Sequence, residues 1–242
     1  FADPPSLARV APFWFLNHEL TPEETRWQVA EMDSQGVGGF VLHPRHGLIT
    51  PYMSEEWMVN LEAAIDEARR RGMKAFLYDE NNWPSGPADA EVFKGHPEYR
   101  MSGLFLAQRL EVQGGALHLD LQIGDGEKLV AIVAVPFEDG QASGFPETAR
   151  LLNDGLRGQE LATDLPEGQW VVYVFVRRFM VGTFFGSYLD TLSGDAVRRF
   201  IALSHDRYAQ RFEDDFGATI EGIFTDEPSM NFNARDAAPW TP

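Results

Sequence analysis

The sequence predicts an α/β fold of the (β/α)8 TIM-barrel type, present as only the first half of the barrel, with an all-β insertion after the third strand. Three observations point there. Short apolar runs alternate with segments of helical period, and each run ends in ionisable residues. Once the insertion is set aside, about 160 of the 242 residues remain, holding four strand-helix units, whereas a complete barrel takes around 250 residues. A four-stranded open α/β sheet is the alternative that the same spacing allows.

The elements follow in order. Pro12 to Asn17 is an aromatic and aliphatic run bounded by turn residues, read as a strand buried on both faces. Thr21 then caps a helix that starts at Pro22, where a missing N–H costs nothing, with Glu24 placed for a capping box. Trp27, Ala30 and Ser34 share one stripe, and Gly36 supplies the left-handed stop. Val37 to Leu42 is the second strand. Ser54 caps the second helix, Glu55 and Glu56 sit at its positive end, and Trp57, Leu61, Ala64 and Ala68 form its apolar face. Arg69, Arg70 and Arg71 occupy the last turn before Gly72, and Met73 to Tyr78 is the third strand.

Three regions are expected: residues 1–100 with three strand-helix units, residues 101–183 as the all-β insertion, and residues 184–242 with the third barrel helix, the fourth strand and its loop. Leu104–Leu106, Leu117–Leu121, Leu129–Val135 and Trp170–Val176 read as insertion strands separated by Gly, Asp and Pro. Ser193 caps a helix with Val197, Ile201, Ser204 and Tyr208 on one face, stopping at Gly217. Ile220 to Phe224 is the fourth strand. Ser229 to Pro242 is polar and Pro-bearing and builds no element of its own. Phe1 is no initiator methionine, and the chain reads as a fragment of something longer.

Composition narrows the partners. With 37 acidic against 20 basic residues the formal charge is −17, which repels phosphate backbones and argues against nucleic acid while leaving neutral sugars and cations open. At 44% hydrophobic residues the chain can bury a core, and its longest apolar run, Trp170 to Val176, is too short to span a membrane. No cysteine is present, so disulfide and thiolate chemistry are excluded. There is no G-x-S-x-G elbow, no Walker loop, and no G-x-G-x-x-G after a strand.

In parallel α/β folds, ligands lie at the carboxyl ends of the strands. Here those ends deliver Asn17-His18-Glu19, His43-Pro44-Arg45-His46, Asp79-Glu80-Asn81-Asn82-Trp83 and Asp226-Glu227. Glycoside hydrolysis needs one carboxylic acid kept protonated for the leaving oxygen and a second carboxylate across the sugar. Glu227 is the candidate acid, expected to be partly desolvated beside Asp226. Trp83, with Trp14 and Tyr52 as weaker companions, offers a flat apolar face for a sugar ring. His43 and Arg45 can hydrogen-bond hydroxyls. As a zinc pair His43 and His46 are disfavoured by Pro44, and Asp79, Glu80, Asp226 and Asp190 form an oxygen-rich set for calcium without EF-hand spacing.

The runs Phe13-Trp14-Phe15-Leu16-Asn17, Gly38 to Arg45 with Gly47-Leu48, Leu77 to Gly86, and Gly222 to Pro228 together resemble the catalytic region of the α-L-rhamnosidase-like glycoside hydrolases, family 106 and its relatives. The resemblance covers the chain except the β insertion. It implies a (β/α)8 catalytic barrel within a large, secreted or periplasmic multidomain enzyme that removes terminal rhamnose from plant or microbial glycans. It further implies that Glu227 is the general acid, that configuration is inverted, that calcium assists, and that the catalytic base lies on a later strand beyond residue 242. Asn17, His43, Arg45, Asp79, Glu80, Trp83 and Asp226 are the expected sugar-lining residues. A carbohydrate-binding or inactive fragment and a metal-dependent barrel hydrolase are the competing readings.

Overall fold

The computed structural model describes residues 4–144, 146–181, 185–230 and 236–242. In chain order the elements are β1 (Phe13–Leu16), α1 (Pro22–Ser34), β2 (Gly39–Pro44), α2 (Glu55–Arg71), β3 (Lys74–Tyr78), β4 (Ser102–Asp120), β5 (Lys128–Glu138), β6 (Gln141–Ala142), β7 (Arg150–Leu151), β8 (Leu156–Arg157), β9 (Glu160–Phe179), α3 (Gly194–Leu203), α4 (His205–Phe212), β10 (Ile220–Phe224) and β11 (Ala237–Pro239). They fall into two compact units, Phe1–Tyr99 with Thr183–Ser229, and Arg100–Gly182 with Met230–Pro242. Among the described residues no helix is long and apolar enough to cross a membrane.

In the first unit the parallel order is β1-β2-β3-β10. Caps place the helices: Thr21 Oγ1 accepts the Glu24 amide at 3.3 Å, Ser54 Oγ accepts that of Trp57 at 3.1 Å, and Gly72 closes α2 at φ 69°. Each side-chain cap is worth about 1 kcal/mol. Leu16, Phe40, Leu42, Ala75, Leu77 and Ile220 turn one face of the sheet toward Val29, Trp57, Leu61, Ile65, Tyr208 and Phe212 of the helices. Burying each large apolar side chain contributes about 1.5–3 kcal/mol. Strand alternation sends Phe13, Phe15, His43 and Tyr78 to the opposite face, and a register shift between Ile220 and Gly222 brings Phe224 to that face too, where the rings meet.

Several expectations are corrected. The chain is not half of a (β/α)8 barrel. Its parallel strands form a four-stranded sheet, and most of its extended backbone lies in a second, antiparallel sheet of seven strands, so the fold is β-rich with few helices. Alternation of strand and helix reports parallel pairing but carries no information on closure. β1 is an edge strand whose Phe13 and Phe15 are exposed rather than buried, and α1 turns Thr25 and Val29 inward while Trp27 is 58% exposed.

The helix expected from Ser193 to Gly217 is broken at Ser204, which has φ −121° and ψ −76°. Its hydroxyl donates to the Asp79 carbonyl at 2.7 Å instead of leaving the chain to continue the helix. In the second unit β4 and β9 are 19 and 20 residues long. Leu104–Leu106 and Leu117–Asp120 belong to one strand that shifts register between Gln113 and Gly115 without ending. The carboxyl run also builds an element: β11 pairs antiparallel with Gly103–Phe105 of β4.

Candidate functional site

The carboxyl ends of β2, β3 and β10 are laced together by main-chain bonds. Asn82 N–H donates to the Pro44 carbonyl at 3.1 Å, Asp79 N–H to Phe224 at 3.3 Å, and Ser85 N–H to Asp226 at 2.9 Å. On that edge, four residues join side chain to side chain. His43, 1% exposed, stacks on Tyr78 with ring centroids 3.7 Å apart, and the Tyr78 hydroxyl donates to Asp226 Oδ2 at 2.8 Å. Arg45 Nη1 lies 3.5 Å from His43 Nε2, with the guanidinium over the Phe15 ring at 5.2 Å.

Within this group the surroundings favour a neutral His43 and a protonated Tyr78. Burial lowers the His43 pKa, the Arg45 charge lowers it further, and the Pro44 carbonyl and Asp226 oppose both. A neutral ring with its proton on Nδ1 donates to Pro44 O at 2.8 Å and leaves Nε2 to accept from Arg45. Tyr78 is raised well above its ordinary value, first by burial and then by its bond to Asp226, so it remains a donor.

Asp79 and Glu80 are fully buried and serve the protein itself. Asp79 Oδ1 accepts the Ser85 hydroxyl, while Oδ2 accepts the Thr225 hydroxyl at 2.6 Å and faces His205 Nε2 at 3.0 Å. Glu80 is encircled by main chain: Oε1 accepts the amides of Asn81 at 2.9 Å and Asp89 at 2.7 Å, and Oε2 those of Gly86 at 3.0 Å and Ala88 at 2.7 Å. Burial pushes its carboxyl up to about 8, against these four donors, which bond best to the anion. Wrapping that carboxylate places Ala88, Asp89 and Ala90 successively in the left-handed region, at φ 48°, 56° and 65°.

The remaining expected residues lie at the margin. Asn17 is exposed after β1, Trp83 is half-buried in the loop after β3, and Glu227 is exposed at φ 45°. The desolvation anticipated for Glu227 is therefore not supplied by the protein. Sequence reasoning missed Tyr78, Ser85, Thr225, Tyr188 and His205. The signal for Tyr78 was its position one residue before Asp79 and one after Leu77, which alternation assigns to the face opposite the core. A cavity of about 410 Å³ opens at the starts of α1 and α2, beside Thr21, Ile49, Glu55 and Glu56, and holds none of the expected site residues.

The oxygen set considered for calcium does not fit a metal. Asp79 and Glu80 have their oxygens taken by protein donors, Asp226 takes the Tyr78 hydroxyl, and Asp190 Oδ1 accepts the Leu192 amide at 3.1 Å. His43 is stacked and bonded while His46 is exposed. Among the described residues, no three His, Asp or Glu side chains gather in an arrangement that holds a metal.

No protein-family model matches the chain, and no curated protein matches it. Among solved structures the chain is similar to a rhamnosidase from Novosphingobium sp. PP1Y, with a TM-score of 0.59 at 16% identity, over 99% of this chain and 40% of that one. The chain thus spans about two-fifths of the length of the protein it matches. Likeness at this identity is likeness of fold, and function resides in the site rather than the fold. What the comparison establishes is a rhamnosidase-like fold.

Proposed function

We propose that the chain carries part of the active site of a glycoside hydrolase, acting on a terminal sugar, with α-L-rhamnose as the first candidate. The observation that carries the reading is the joining of His43, Tyr78 and Asp226 at one edge of the parallel strands, next to the turn that bears Glu227. In this reading Glu227 donates a proton to the leaving oxygen. Its carboxyl makes no hydrogen bond or ion pair among the described residues, so it is available to a ligand, and the bound sugar supplies the desolvation that the protein does not. Asp226, fixed by Tyr78, and the Arg45 guanidinium supply hydrogen-bonding groups for sugar hydroxyls, and the partly exposed rings of Phe13, Phe15 and Phe224 offer apolar contact. The rhamnosidase-like fold supports the same reading at the level of fold.

The test is Glu227→Gln in the intact polypeptide, assayed on methyl and 4-nitrophenyl α-L-rhamnosides. An alkoxide cannot leave without a proton, whereas a nitrophenolate can. Loss of a general acid therefore lowers kcat on the methyl glycoside by about 10²–10⁴-fold and leaves the nitrophenyl glycoside far less affected. A variant within tenfold of the parent on the methyl glycoside overturns the assignment.

A further inference from the structure

We propose that Ser85 is a positioning residue for Glu227, acting through the main chain of the turn formed by residues 225–229; the proposal rests on the glycosidase reading above. The turn is tied on both sides of Glu227. Upstream, Ser85 Oγ accepts the Asp226 amide at 2.9 Å, and Ser85 N–H donates to the Asp226 carbonyl at 2.9 Å. The Ser85 hydroxyl proton goes to Asp79 Oδ1, and the other oxygen of that carboxylate takes the Thr225 hydroxyl. Downstream, the Tyr188 hydroxyl donates to the Ser85 carbonyl and accepts the Ser229 amide at 3.3 Å, while the Thr191 hydroxyl donates to the Ser229 carbonyl at 3.4 Å.

Ser85 takes part in both ties, through its hydroxyl and amide on one side and its carbonyl on the other. It is 1% exposed, so no substrate group reaches it. Between the ties lie Glu227 and Pro228, both exposed. Glu227 holds φ at 45°, a conformation that costs a non-glycine residue about 1 kcal/mol and persists only where its surroundings over-determine it. With no side-chain bond of its own among the described residues, Glu227 takes its direction from this backbone. The two ties are the over-determination, and Asp79 is the buried anchor from which the upstream one hangs.

The experiment crosses Ser85→Ala with Glu227→Gln in the intact polypeptide and adds hydrogen exchange of the turn amides. A misdirected acid lowers kcat on the methyl glycoside by about 10- to 100-fold, leaves KM unchanged, and spares the nitrophenyl glycoside. Removing Ser85 Oγ in the Glu227→Gln background then produces no further fall. The Asp226 amide, which loses its acceptor, exchanges faster in Ser85→Ala whatever the activity. An equal fall on both glycosides, an undiminished fall in the Glu227→Gln background, or unchanged exchange of the Asp226 amide overturns the proposal. Failure of the glycosidase reading looks different, since Glu227→Gln would then match the parent on both substrates. Should Ser85→Ala not fold, Ser85→Cys, whose thiol is a weak donor and acceptor, is held to the same outcomes.

Discussion

His43 carries a pH signature that follows from its burial against Tyr78. Its folded-state pKa lies below the ordinary 6.5, lowered first by desolvation and then by Arg45. Between those two values the unfolded chain binds more protons than the folded one, so stability rises with pH across that window and is lost as pH falls below about 6.5. Glu80, pushed up to about 8, binds a proton on folding over the same range and acts in the opposite direction, so the test is a difference: from about pH 7.5 to about 5.5 the urea midpoint of His43→Gln should fall less, or rise more, than that of the parent, because the variant has no proton to exclude. An equal or steeper fall in the variant would contradict the neutral, buried ring. The residues that organise the site were the least legible. Asp79, Glu80 and Asp226 are visible in sequence as charges after apolar runs, yet sequence does not say whether a carboxylate faces a ligand or the protein. The answer for Glu80 depends on four amides that only a folded loop can aim. Ser85 and Thr225 lie within runs that carry the family resemblance, yet like Tyr188 they have no charge and no spacing that assigns them a role.

At the scale of elements, local chemistry was readable and long-range chemistry was not. Thr21, Ser54 and Ser193 cap the helices expected of them, and Ile220–Phe224 has the expected bounds, because caps and apolar runs are set by neighbours in sequence. The break at Ser204 was invisible because its cause, the Asp79 carbonyl, is 125 residues away. The continuity of β4 was hidden by Gly114-Gly115, read as a stop. A Cβ on Gly114 would stand 1.8 Å from the Pro166 carbonyl oxygen of β9, while one on Gly158, in the turn before β9 at φ 65°, meets nothing within 4 Å. Gly114→Ala should therefore destabilise the protein by about 2 kcal/mol or more through overpacking, and Gly158→Ala by about 1 kcal/mol through its left-handed backbone alone. Urea denaturation of the two variants separates these causes, and equal losses would remove the steric one.

Across the whole molecule, net charge sets the response to salt. Arg69 bonds Asp66 and Asp215, and Arg211 meets Glu55 and Glu62, but such exposed pairs are worth roughly 0–1 kcal/mol each and leave the net −17 uncompensated. Self-repulsion weakens when salt shortens the Debye length, so Tm should rise as sodium chloride goes from about 10 to about 300 mM. A falling Tm would mean that attractive pairs prevail over the net field. Strand closure belongs to this scale too, and the half-barrel expectation failed here: four apolar runs with polar ends suit an open sheet as well as a closed one. A different kind of whole-molecule behaviour follows from the carboxylate of Glu80. Asn81 and Asp89 hang on the same oxygen although they lie eight positions apart in the chain, with Gly86 and Ala88 on the other. Slack at either end of that stretch is felt at once at the opposite end, so it works as a latch rather than a zipper and comes away whole or not at all.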